Sequence, residues 1–178
     1  MHDFMCTFSG LQVNPLNLRN EDIAIEDIAH ALSLLCRGSG HLKYFYSVGQ
    51  HCVNCAKEAQ ARNWSDTLAL TCLLHDASEA YISDIIRPVK KHLANYMQIE
   101  DQILAAIFRK FGLGSLTDED YRKMKTIDNE MLENELSILM NGYTAPSLPH
   151  LYSQPDFRLK ESAAVEQEFL SLFKQLQK

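Results

Sequence analysis

The sequence predicts an all-α fold: apolar residues recur at three- and four-residue steps, no convincing run of alternating strand residues occurs, and capping residues and glycines punctuate the helical stretches. With 178 residues, 46% of them hydrophobic and 22% charged, the chain can bury one substantial core and is too short for two ordinary domains. The expected architecture is a single domain over 1–178. It would have about six to seven helices, a motif-bearing core over about 25–140, and a C-terminal loop and packing helix over 141–178.

Ile25, Ile28, Ala29, Leu32 and Leu35 mark a first helix over about 23–36, stopped by Gly38 and Gly40, which open a loop carrying His41 and Lys43. A second helix starts near Ser47, where Ser-x-x-Gln to Gln50 reads as a capping box. Val48, Cys52, Cys55 and Ala59 share one of its faces, and His51 falls in its first or second turn. Ser65 caps a third helix whose nearly unbroken apolar run over 68–74 predicts burial on most sides, up to the pair His75-Asp76. A short stretch over 77–87, closed by Pro88, leads to a long helix over about 89–111 that Gly112 and Gly114 end. Thr117, followed by Asp118, Glu119 and Asp120, starts a helix reaching Met140 with Asp128 inside it. Three of the five prolines fall within 141–160, where the helical pattern lapses, predicting a surface loop before a last helix near 161–176.

A formal charge of −6, with 17 basic residues scattered, argues against a nucleic-acid polymer as partner, because duplex binding needs a basic stripe to displace counterions. A small phosphorylated molecule stays open, since a few positioned basic groups and a metal ion neutralise one phosphate. Met1-His2-Asp3-Phe4 does not begin an export signal, and no run of about 18 apolar residues occurs. Five cysteines, an odd number, fit reduced thiols better than a disulfide framework. The expectation is a cytoplasmic protein with no membrane partner.

A buried charge costs several kcal/mol, on the order of a whole domain's net stability, unless it is paired or metal-bound. Ionisable residues on apolar helical faces therefore need a counter-charge. His75 and Asp76 follow Leu73-Leu74 at the end of the most apolar helix. Asp128 has Met124 four residues before it and Leu132 four after, on one face, although Asp101 and the cluster Asp118 to Asp120 are alternative carboxylates. His51 adjoins Cys52 on a helix whose apolar face includes Val48 and Cys55. Two imidazoles and two carboxylates, from His51, His75, Asp76 and Asp128, suit one borderline divalent ion such as Mn, Co, Fe, Ni or Zn. A different metal reading pairs Cys52-x-x-Cys55 with Cys72-x-x-His75 as a structural zinc site, which would make the chain a binding module. Against it, those residues lie in continuous predicted helices with no knuckle turns.

The spaced His51, the pair His75-Asp76 and the distal Asp128 resemble the HD-domain phosphohydrolases. Beyond the ligands, Cys36-Arg37, Phe45-Tyr46-Ser47-Val48 and the stretch His75-Asp76-Ala77-Ser78-Glu79 through Asp84 to Pro88-Val89-Lys90 are similar to the branch of bacterial 5′-deoxynucleotidases and phage-type deoxynucleoside triphosphatases. The resemblance implies a helical domain around a buried metal site. It also implies hydrolysis of a phosphate ester or anhydride, most simply a (deoxy)nucleoside 5′-monophosphate releasing orthophosphate, and in some relatives a homodimer. Arg37 and Lys90 would contact phosphate, Glu79 would handle a proton of the attacking water or leaving group, and Asp84 would approach that water or the sugar. Glu79 lies one helical turn after His75, and Arg37 offers a planar fork for phosphate oxygens. The sequence departs from the branch where an aromatic residue follows the arginine and a glycine precedes the later aspartate; here these are Gly38 and Ser83. Two rivals are a triphosphohydrolase on the same ligands and a non-catalytic nucleotide-sensing module. Without the resemblance, Arg37 reads as a helix-terminal cation, Lys90 and Lys91 as a solvated face and Glu79 as exposed; His2, His30, His41, His92 and His150 have no evident partners.

Overall fold

The computed structural model describes residues 3–177; His2 lies outside the described residues. Among them are eight α-helical segments: α1 Ile25–Leu34, α2 Val48–Ala61, α3 Asp66–Leu74, α4 Glu79–Ile82, α5 Arg87–Lys90, α6 Ala94–Lys110, α7 Asp118–Leu139 and α8 Ser162–Leu176. Two of these, α4 and α5, are single turns of four residues, so six full helices carry the fold as the periodicity predicts. None of the described helices is long and apolar enough to cross a membrane. The described cysteines are unpaired, although Cys6 is exposed and Cys36 half-buried, so only Cys52, Cys55 and Cys72 are core thiols.

The predicted caps form. The Ser47 side chain accepts the Gln50 backbone N–H, Ser65 accepts that of Leu68, and Thr117 makes a reciprocal box with Asp120. At Ser47 only half of the box forms, because the Gln50 amide turns away to donate to the Asp156 and Arg158 carbonyls at 2.8 and 3.0 Å. Leu68 to Leu74 are all buried, so α3 has no polar face and sits inside a ring made by α2, α7 and α8. α2 touches α1, α3, α7 and α8 and is the hub of the core. Gly49 permits the α1 contact: a Cβ there would stand 3.1 Å from the Leu32 and Ser33 backbone.

Several expected boundaries differ. α1 ends at Leu34, because Leu35 and Cys36 turn extended and Cys36 bridges to Ser47; the glycines act later, at Gly38 and Gly40, both with positive φ. The predicted helix over 89–111 is divided: Pro88 sits in the first turn of α5, where its missing N–H costs nothing, and Leu93 breaks the chain before α6. A hairpin of two-residue strands, β1 Met5–Cys6 and β2 Gln12–Val13, is too short to produce alternation in the sequence.

The segment over 141–160 is a strap fastened to α2. Glu58, with 0% of its surface exposed, accepts the Tyr152 N–H at 3.0 Å, the Ser153 N–H at 2.8 Å, the Ser153 hydroxyl at 2.6 Å and Arg62 Nε at 2.8 Å. Replacing Glu58 with alanine removes the acceptor of two amides, a hydroxyl and Arg62 Nε, with Arg62 keeping only Glu130, and chemical denaturation should show a loss of about 3 kcal/mol. Burial acts to raise the Glu58 carboxyl, but Ser153, Tyr152 and Arg62 outweigh it and hold it below its ordinary value. Its contribution is therefore complete above an unfolded value of about 4.3 and is lost as pH falls through the lower folded value. Acid titration of the Glu58→Gln variant should lack that component.

Candidate metal centre

Three helices bring the predicted ligands together. α2 supplies His51 from a wholly buried turn, the C-terminus of α3 delivers His75 and Asp76, and α7 presents Asp128. His51 Nε2 lies 3.3 Å from His75 Nε2, 3.4 Å from Asp128 Oδ1 and 3.9 Å from Asp76 Oδ2. His75 Nε2 lies 3.3 Å from Asp76 Oδ2 and 3.7 Å from Asp128 Oδ1. The alternative carboxylates are elsewhere: Asp101 is exposed on α6, and Asp118 to Asp120 lie at the start of α7, where Asp120 caps it.

The outer nitrogens explain why both Nε2 atoms face inward. His75 Nδ1 is 2.7 Å from the Cys72 carbonyl, which can only accept, so Nδ1 carries the proton. His51 Nδ1 is 2.7 Å from Glu135 Oε1. Burial acts to raise the Glu135 carboxyl, but His51, Arg37 and Tyr46 outweigh it and keep it ionised, so here too Nδ1 donates. Burial and Arg37 oppose a charge on His51, yet Glu135 and Asp128 push its pKa up to about 9. The Asp76 carboxyl is raised by burial and Asp128, but His75, Arg37 and His51 hold it below the usual range. Burial likewise acts upward on Asp128, and hydrogen bonds from His51 and His75 carry it well below. A divalent cation would displace the proton that His51 Nε2 shares with these carboxylates, leaving two imidazole nitrogens and two carboxylates as its donors.

Two overlapping groups of buried or half-buried ligand atoms could hold a metal ion: His51, Cys55 and His75, and Cys52, His75 and Asp76. Sequence reasoning assigned Cys52 and Cys55 to the core, yet their thiols border the centre, Cys55 Sγ lying 3.5 Å from His51 Nε2. Burial pushes both thiols well up and Cys72 up to about 12, which disfavours the thiolates that bind zinc. Cys72 belongs to neither group, so the pattern Cys52, Cys55, Cys72, His75 does not assemble as one site among the described residues.

Arg37 does not cap a helix. Its guanidinium is turned inward, donating from Nη1 to Asp76 Oδ2 at 3.2 Å and placing Nε 3.3 Å from Glu135 Oε2. Glu79 is only 3% exposed, so it is not a surface residue, and its buried Oε2 has no hydrogen-bond partner. Burial, then Asp76 and Asp84, raises its carboxyl well above the ordinary value. Asp84 is half-buried and raised by burial against the pull of Arg37. Lys90 pairs with Glu100 and stands 5.6 Å above the Tyr96 ring, so it is a fastened cation whose field reaches Glu79. His30 also has partners: Glu166 at 2.9 Å and the Phe8 ring, stacked at 3.6 Å.

Sequence reasoning missed Glu135, seven residues after Asp128 on the same buried stripe of α7, and Arg87, which donates to Asp128 Oδ2 at 2.9 Å. It also left Gly38 and Ser83 as unexplained departures. Gly38 adopts φ +61°, a conformation that an aromatic residue would occupy only under strain. Ser83 has φ 71° and ψ 161°, a region that is nearly glycine's alone, and the Tyr96 hydroxyl holds its carbonyl at 2.6 Å. The strain sits directly before Asp84. Replacing Ser83 with glycine should stabilise the protein by about 1 kcal/mol, seen as a melting temperature about 2–4 °C higher.

No protein-family model matches the chain. The chain is 43% identical over 110 residues to the uncharacterized protein YfdR of Escherichia coli, a match covering 62% of this chain and 59% of that protein. It is 30% identical over 164 residues to an uncharacterized protein of Rhodobacter capsulatus, covering 88% of this chain and 83% of that one. With identity at that level over most of both chains, the protein belongs to the same family as the Rhodobacter capsulatus protein.

Proposed function

We propose that the protein is a divalent-metal-dependent phosphohydrolase acting on a small phosphorylated molecule, a (deoxy)nucleoside 5′-monophosphate that it cleaves to the nucleoside and orthophosphate. One observation carries the reading: two imidazole Nε2 atoms and two carboxylates converge in a buried centre, beside a carboxyl oxygen of Glu79 that has no partner and the half-buried guanidinium of Arg37. The resemblance of the motif residues to HD-domain phosphohydrolases supports it. His51, His75, Asp76 and Asp128 would hold a divalent ion, which when bound would lower the pKa of a water towards about 7 and polarise a phosphoryl oxygen.

The chain's own groups supply the rest. Arg37 has five N–H donors; Asp76 and Glu135 engage one each, leaving three for phosphate oxygens. Glu79, whose carboxyl is raised by burial and by Asp76 and Asp84, can pass a proton to the departing 5′ oxygen. Asp84, on its strained turn, is available to the sugar or the attacking water, and Lys90 offsets negative charge at longer range.

The test is incubation of metal-free protein, reloaded with Mn²⁺, Co²⁺, Ni²⁺, Fe²⁺ or Zn²⁺, with deoxynucleoside mono- and triphosphates. Orthophosphate from the monophosphate is the expected product. Tripolyphosphate from the triphosphate would instead identify a triphosphohydrolase, and tight nucleotide binding without product would identify a sensing module.

A further inference from the structure

We propose that Glu135 is a positioning residue of the metal centre: its carboxylate fixes the His51 imidazole so that Nε2 is presented to the ion, and it seats Arg37 in the same stroke. The inference rests on the metal-centre reading above. Glu135 Oε1 receives His51 Nδ1–H at 2.7 Å and the Tyr46 hydroxyl at 2.8 Å, while Oε2 lies 3.3 Å from Arg37 Nε. One carboxylate therefore sets both a metal ligand and the proposed phosphate fork. A carboxylate behind a ligating imidazole fixes its tautomer and ring plane and strengthens its donation to the metal.

The carboxylate is itself oriented from outside the centre. Asn54 Nδ2 donates to the Tyr46 oxygen at 2.9 Å and to the Asp156 carbonyl at 3.0 Å, so the strap over 141–160 connects through Asn54, Tyr46 and Glu135 to His51. Neutralising Arg37 alone would not require this arrangement, because Asp76 already accepts from Arg37. The contact to His51 Nδ1 is the feature specific to metal binding.

The test is calorimetric titration of metal-free wild-type protein and of Glu135→Gln with Mn²⁺ alone, alongside thermal unfolding of both without metal. Glutamine keeps the shape and an accepting oxygen but removes the charge. It should weaken Mn²⁺ binding by about 10–100-fold. Tyr46→Phe, which removes only the hydroxyl that orients Oε1, should weaken it by a smaller factor and supplies the same reading if Glu135→Gln does not fold. A purely structural role would lower the unfolding temperature of Glu135→Gln and leave the Mn²⁺ affinity of the folded protein unchanged, which overturns the proposal. Failure of the wild type to bind Mn²⁺ and, in parallel titrations, Co²⁺, Ni²⁺, Fe²⁺ or Zn²⁺ would overturn the metal-centre reading and this inference together.

Discussion

Replacing Asp76 with alanine is expected to abolish metal retention and phosphohydrolysis together, with turnover lower by about 1,000-fold or more. That factor corresponds to about 4 kcal/mol of transition-state stabilisation, the scale of a metal ion's charge at a reacting phosphate. Asp76 Oδ2 stands within 3.9 Å of both inward-facing imidazole nitrogens and accepts from Arg37, so its loss removes an oxygen donor and a partner of the proposed phosphate fork. Glu135 still faces Arg37, so the fold should survive. Metal content after dialysis and phosphate release, measured on the same sample, check the expectation; a metal-free and fully active Asp76→Ala variant would refute the mechanism.

Glu79→Gln is expected to behave differently: metal is kept, while turnover falls by about 100- to 10,000-fold, the range of a positioned general acid. The reason is that burial and the charges of Asp76 and Asp84 favour the neutral form of Glu79, and glutamine reproduces the shape of that form but has no acidic proton. The group's raised pKa also sets the sign of the pH profile. Activity that needs its proton is present below the raised value and declines as pH rises through it, and this alkaline limb should vanish in Glu79→Gln. An aryl phosphate, whose leaving group needs no proton, should narrow the gap between variant and wild type. Equal deficits on alkyl and aryl esters would place Glu79 outside proton transfer.

How much of this could be read before the structure varied with the range of the interactions. His75-Asp76 was readable because it terminates the apolar stretch Leu68 to Leu74, and Asp128 because Met124 and Leu132 flank it at helical spacing; the structure brings both to one centre with His51. The caps at Ser47, Ser65 and Thr117 are local chemistry and were equally readable. Glu135 carried the same kind of signal, an acid on the Asp128 stripe, but α7 also carries Glu130 and Glu133, and only the meeting with His51 and Tyr46 distinguishes it. The strap over 141–160 reads as a free loop because its fastenings to Glu58 and Asn54 come from about 100 residues away, as Ser153 and Asp156 show at separations of 95 and 102. The backbone of Ser83 is fixed by α4 and by Tyr96, and composition has no record of such a torsion.

The most direct test of the central claim is anomalous diffraction from crystals loaded with Mn²⁺ or Co²⁺. One strong peak is expected, bounded by the Nε2 atoms of His51 and His75 and by the carboxylates of Asp76 and Asp128. A peak held instead by the thiols of Cys52, Cys55 or Cys72, or an empty centre in protein that still releases phosphate, would contradict it.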